Sequence, residues 1–93
     1  ISADLSADGT KVVFNSVENI TDNSSNSINS KVFVKDLTNG NITLVAGNPT
    51  YNAFHNKMSP DGQYVSYEVN NDPKIVNYEK LLDIYWKNIE PVK

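Results

Sequence analysis

The stretch LSADGTKVVFNS, Leu5–Ser16, returns as MSPDGQYVSYEV, Met58–Val69, so that Ser6 and Ser59 open matching segments 53 positions apart. A chain of 93 residues that spends itself this way is built from two like units, not from one indivisible layer. Within each copy the first four residues after the apolar one form a turn. Ser6-Ala7-Asp8-Gly9 and Ser59-Pro60-Asp61-Gly62 combine an Asp that bonds to its own local backbone with a Gly that accepts a positive φ. Alternation follows: Val12, Phe14 and Ser16 share one side, and Val65, Tyr67 and Val69 repeat them. Period two in β-branched and aromatic residues predicts a strand.

A polar gap separates each copy from a further strand. Lys31–Leu37, KVFVKDL, matches Asp83–Ile89, DIYWKNI, at an offset of 52, since 83 less 31 is 52. The first copy turns again at Thr38-Asn39-Gly40-Asn41, where Asn-Gly is a hairpin signal. Ile42–Ala46 then supplies a fourth strand, and short stretches at Ile1–Leu5 and Tyr51–Met58 precede the two S-x-D-G turns. One unit therefore reads as four strands, a-b-c-d, in a meander. The chain reads a-b-c-d-a-b-c, because Glu90-Pro91-Val92-Lys93 is short and Pro-broken. Four strands in about 50 residues is the arithmetic of a β-propeller blade. The expected fold is all-β: two four-stranded antiparallel meander blades of β-propeller type, residues 1–47 and 48–93, the second lacking its last strand. One window competes. Ile75, Tyr78, Leu82, Tyr85 and Ile89 recur at helical spacing behind Asp72-Pro73, so a helical turn within Ile75–Leu82 stays open beside a strand from Asp83 to Ile89.

The order S-x-D-G, alternating strand with an aromatic, I/V-F/Y-V/W-K-D/N-L/I and T-x-G resembles the TolB-type propeller repeat, related in architecture to WD-repeat propellers. The resemblance covers Leu5–Ala46 and Met58–Ile89. Ala7 departs from the Pro usual at its position. The resemblance implies a four-stranded blade in a bacterial envelope or secreted protein that works by binding other proteins, hence a periplasmic or extracellular location.

Composition narrows the partners. Net charge is −3 and all eight basic residues are scattered Lys, with no cluster to track a phosphate backbone, so no nucleic-acid role is expected. An anionic chain with no long apolar run is not expected to contact a membrane. There is no Cys, which removes disulfides and thiolate metal sites. With four Gly, all in turns, there is no phosphate loop. No cofactor is expected.

In a meander the a–b and c–d turns share one rim and the b–c and d–a connections share the other. The second rim carries the long polar segments Glu18–Ser30, Asn70–Lys80 and Gly47–Thr50, and loops on a rigid scaffold are where binding resides. A protein partner is therefore expected on this rim, through Asp22, Asn23, Asn26, Asn71, Asp72, Tyr78 and Tyr51. Asp22, Ser24 and Asn26 have the alternate spacing of a calcium loop, but Ser27 and Phe33 stand where an EF-hand needs Gly and Glu. His55 is the sole histidine; Ser59 and Asp61 near it are already used by the turn, and no G-x-S-x-G elbow occurs. The chain is thus expected to be a binding or scaffold module and not an enzyme. The alternative is a substrate-recognition or gating propeller of a secreted hydrolase whose catalytic domain lies outside this chain.

Stacked blades bury both faces, and two blades share only one interface. The outer faces are expected to carry Val13, Val17, Val32 and Val34, or Tyr64, Ile84 and Trp86. At about 25 cal/mol per Å² of apolar area, such faces invite cover by further blades or by self-association.

Overall fold

The computed structural model describes residues 2–21, 24, 28–47, 51–70 and 85–92, with the backbone alone at 70 and 85–90. Seven strands are described: β1 (Ala3–Leu5), β2 (Lys11–Ser16), β3 (Lys31–Asp36), β4 (Ile42–Ala46), β5 (Asn52–Met58), β6 (Tyr64–Asn70) and β7 (Tyr85–Pro91). They form two antiparallel sheets, ordered β1-β2-β3-β4 and β5-β6-β7. The described residues are all-β, and both sheets follow chain order.

Local chemistry explains the turns. In the first, Ser6 Oγ donates to Asp8 Oδ1 at 2.8 Å and Thr10 N donates to the same oxygen at 3.0 Å. In the second, Ser59 Oγ reaches Asp61 Oδ1 at 2.7 Å and Gln63 N reaches it at 3.0 Å. Gly9 and Gly62 both sit at φ 72°, where a side chain would be strained. The β3–β4 connection is wider than its Asn-Gly pair suggests. Asp36 N donates to Asn41 O at 2.8 Å and Gly40 N to Asp36 O at 2.7 Å. Of its central residues only Gly40 has a positive φ, whereas a two-residue type I′ turn needs two.

The repeat holds in register through the first two strands of each unit. Asp4↔Val13 and Leu5↔Val12 recur as Lys57↔Ser66 and Met58↔Val65. It slips at the third. The offset of 52 would set Trp86 opposite Ser66, as Val34 is opposite Val13; instead Ile89 is opposite Ser66 and Trp86 opposite Glu68. The strand expected at Asp83–Ile89 accordingly runs Tyr85–Pro91, with Asp83 and Ile84 outside the described residues. Pro91 ends the strand without breaking it, because β7 is an edge of the described sheet and an edge position needs no outward N–H. The helical alternative over Ile75–Leu82 also lies outside the described residues.

The core lies between the sheets. Val13, Val32, Val34 and Ala46 of the first sheet meet Ala53, Met58, Val65, Tyr67 and Val69 of the second. Val13, Val32 and Val34 therefore line the shared interface, not an outer face as expected from the sequence; period two left the side open, and packing chose it. Burying each of these Val side chains contributes about 1.5–3 kcal/mol. Polar bonds stitch the seam. Ala53 N donates to Ser30 O at 2.9 Å, Met58 N to Asp4 Oδ2 at 2.8 Å and Ala7 N to Pro60 O at 2.8 Å. Buried Asn56 donates to Ser2 O at 3.3 Å and Val13 O at 3.4 Å. A bulge in β5 sets Asn56 there, with His55 at φ 51°.

The two units present opposite faces to the seam. Met58, Val65, Tyr67 and Val69 are inside it. Their equivalents Leu5, Val12, Phe14 and Ser16 stand on the far side of the first sheet, where Phe14 stacks on Phe33 with centroids 5.6 Å apart and Leu5 is 56% exposed. The interface is therefore head-to-tail.

Candidate functional site

The rim beyond β2 and β3 is held by a buried cation. Lys31, fully enclosed at the start of β3, donates Nζ to Val17 O at 3.1 Å and Asn29 O at 2.9 Å. These carbonyls belong to the two ends of the β2–β3 loop, so one ammonium clamps both. A buried ammonium is tolerated only where such acceptors replace water. Gly47 closes over the Lys31 stem: its φ is 140°, and a Cβ there would stand 2.7 Å from Lys31 Cγ. Glu18 N donates to Ser16 Oγ at 3.0 Å, and Ser24 Oγ donates to Thr21 O at 2.6 Å and to Asn19 Oδ1. The Ser24 hydroxyl is thus engaged inside the loop.

From this anchored base three aliphatic side chains reach solvent. Ile28 is 88% exposed, and Val17 and Ile20 are also exposed. These are the exposed aliphatics among the described residues of this loop. Their signal was in the sequence, as Ile within a run of Asn and Ser, but the oxygen-rich residues beside them drew the expectation. Of the residues expected on this rim, Tyr51 is half-buried and packs against the core. Asp22, Asn23, Asn26, Asn71, Asp72 and Tyr78 lie outside the described residues.

The opposite rim carries a cleft of about 200 Å³ lined by Lys11, Val34, Asp36, Asn39, Asn41, Thr43 and Val92. Asp36 accepts from Thr38 Oγ1 at 2.6 Å and Thr38 N at 2.9 Å. These bonds, with the Lys11 charge behind them, hold its carboxyl below the usual carboxylate range. A carboxylate so satisfied is a poor proton acceptor. His55 Nδ1 lies 2.8 Å from Glu68 Oε2 on an exposed surface, while Ser59 and Asp61 bond to each other in their turn. These four residues do not assemble into a Ser-His-Asp arrangement. Among the described residues no group of three or more His, Cys, Asp or Glu converges on a point where a metal ion would sit. No protein-family model, curated protein or solved structure matches the chain.

Proposed function

We propose that the chain is a pair of TolB-like, propeller-type blades, residues 1–47 and 48–93, that serves as a protein-binding or scaffold module of a periplasmic or extracellular protein. The chemistry of recognition is carried by the β2–β3 loop: Val17, Ile20 and Ile28 present apolar contacts above the Lys31 clamp. The observation that supports this reading is the head-to-tail packing of two like meanders. That geometry extends by repetition. No turnover is assigned to it.

The test is a quantitative pull-down from a bacterial periplasmic extract on the immobilised chain, set against a variant in which residues 18–28 are replaced by a short Gly-Ser turn. Proteins retained by the chain and lost with the variant, at unchanged far-UV circular dichroism, are the expected result. Equal retention by both would overturn the assignment of the rim.

A further inference from the structure

The second sheet carries a pocket of about 220 Å³ lined by Lys57, Met58, Ser59, Tyr64 and Ser66; by strand alternation Lys57, Tyr64 and Ser66 stand on the face opposite the seam that buries Met58 and Val65. Subtracting the 53-residue repeat from each maps it onto Asp4, Leu5, Ser6, Lys11 and Val13. In the first unit that place is already occupied. Met58 N bonds Asp4 Oδ2 at 2.8 Å, Met58 packs in the same core as Val13, and Lys11 Nζ reaches Gly62 O at 3.5 Å. Ser6 and Lys11 also lie directly against Gly62, within 3.4 Å of where its Cβ would stand. The first unit's site therefore receives the segment Met58–Gly62 of the second. The first unit's counterpart of that segment is Leu5–Gly9, whose Leu5 is 56% exposed.

We infer that the chain associates head-to-tail with a second copy of itself, Leu5 and the Ser6–Gly9 turn of one copy seating in the Lys57–Tyr64–Ser66 pocket of the other. This names a partner for the module proposed above and rests on its two-unit reading. The contact continues the interface already present between the units, with Leu5 in the place of Met58 and Lys57, Tyr64 and Ser66 in the places of Asp4, Lys11 and Val13. Tyr64 takes the place of Lys11 and carries a hydroxyl donor in place of its ammonium. Two bonds are forgone: Pro60 has no N–H to repeat the Ala7 donation to Pro60 O. The Lys57 side chain likewise cannot accept as Asp4 does. The contact between copies is consequently weaker than the one within the chain and depends on concentration. Being heterologous, it propagates to a closed ring or an open fibre instead of stopping at a twofold dimer.

The chain has no Cys, so introduced thiols report without background. Leu5→Cys and Ser66→Cys chains are mixed and oxidised at high concentration. Mixed disulfide dimers should exceed either homodimer; predominance of the Leu5→Cys homodimer would overturn the proposal, because it would mean the face meets itself. In parallel, sedimentation equilibrium is run on the full chain, on Leu5→Lys and on Ser66→Arg. Each single variant should associate about tenfold or more weakly, the loss expected when one Leu fails to be buried. A one-to-one mixture should form dimers that grow no further, since one variant keeps the pocket and the other keeps the knob. Should the unaltered chain remain monomeric with a protected amide core, the self-partner is refuted while the repeat reading stands. Loss of both association and amide protection in the unaltered chain would refute the two-unit reading itself.

Discussion

The two S-x-D-G turns are chemically near-identical and structurally unequal. Their internal bonds agree closely: Gly9 N to Ser6 O is 3.0 Å and Gly62 N to Ser59 O is 2.9 Å. Lys11 N to Ser6 Oγ is 3.1 Å and Tyr64 N to Ser59 Oγ is 3.0 Å. Yet the second turn packs on the first sheet, while the first turn projects Leu5 into solvent. Local sequence sets the shape of a turn; what it touches is set by its order in the stack. The departure of Ala7 from the Pro of the second copy acquires a physical reason here. Position 7 must donate an N–H to the neighbouring unit, and Pro has none.

Matched substitutions in the two units separate what is local from what is positional. The largest difference is expected at the aromatic of the second strand. Tyr67→Ala removes a side chain buried between the sheets and should cost about 3 kcal/mol in urea denaturation. The equivalent Phe14→Ala, half-buried on the outer face, should cost about 1 kcal/mol, part of it from the stacking on Phe33. Equal losses would mean that both faces are covered alike, and would break the inequality drawn here.

Next comes Asn56, whose equivalent is Ala3, since 56 less 53 is 3. Asn56→Ala strips one buried and one part-buried carbonyl of their donor and should cost about 2 kcal/mol. Ala3→Asn on the exposed counterpart should change stability by less than about 0.5 kcal/mol. A smaller effect is expected at the turns. Ala7→Pro should cost about 1 kcal/mol through the lost inter-sheet bond, and Pro60→Ala about half that, through the greater freedom of the unfolded chain. Reversal of that order would remove the role given to the Ala7 N–H.

The turns should respond alike to acid. Hydrogen bonds from Thr10 N and Oγ1 and from Ser6 Oγ hold the Asp8 carboxyl below its ordinary value. Those from Ser59 Oγ and Gln63 N do the same for Asp61. A carboxyl with a depressed folded pKa adds stability that is complete above its unfolded value, about 3.9, and is lost as pH falls through the folded one. Urea midpoints between about pH 5 and pH 2.5 should fall with acid, and Asp8→Asn and Asp61→Asn should each flatten that fall to a similar small degree. A flattening by one and not the other would show that stack position reaches even the turn chemistry.

Much of this was legible along the chain. Ile42–Ala46 as a strand and both S-x-D-G turns follow from residues a few positions apart, and strands and turns depend on little else. The third strand of the second unit is a strand at Tyr85–Ile89, as expected, but its register was not legible, because sequence likeness between Lys31–Leu37 and Asp83–Ile89 measures residue type. Register instead follows the burial of one strand face and the bulge at Tyr67/Glu68. The exposure of Val17, Ile20 and Ile28 is not legible in the same way, because composition reports the average of a segment, whereas exposure depends on which few side chains the Lys31 clamp leaves outside.

By itself the sequence determined the repeat, the alternation within each strand and the turns that reverse it, because all three arise from sterics and hydrogen bonds among near neighbours. Only the tertiary structure decided which face of each sheet is buried. Period two offers two equivalent sides to every strand, and the choice between them is made by the partner sheet that removes one from water.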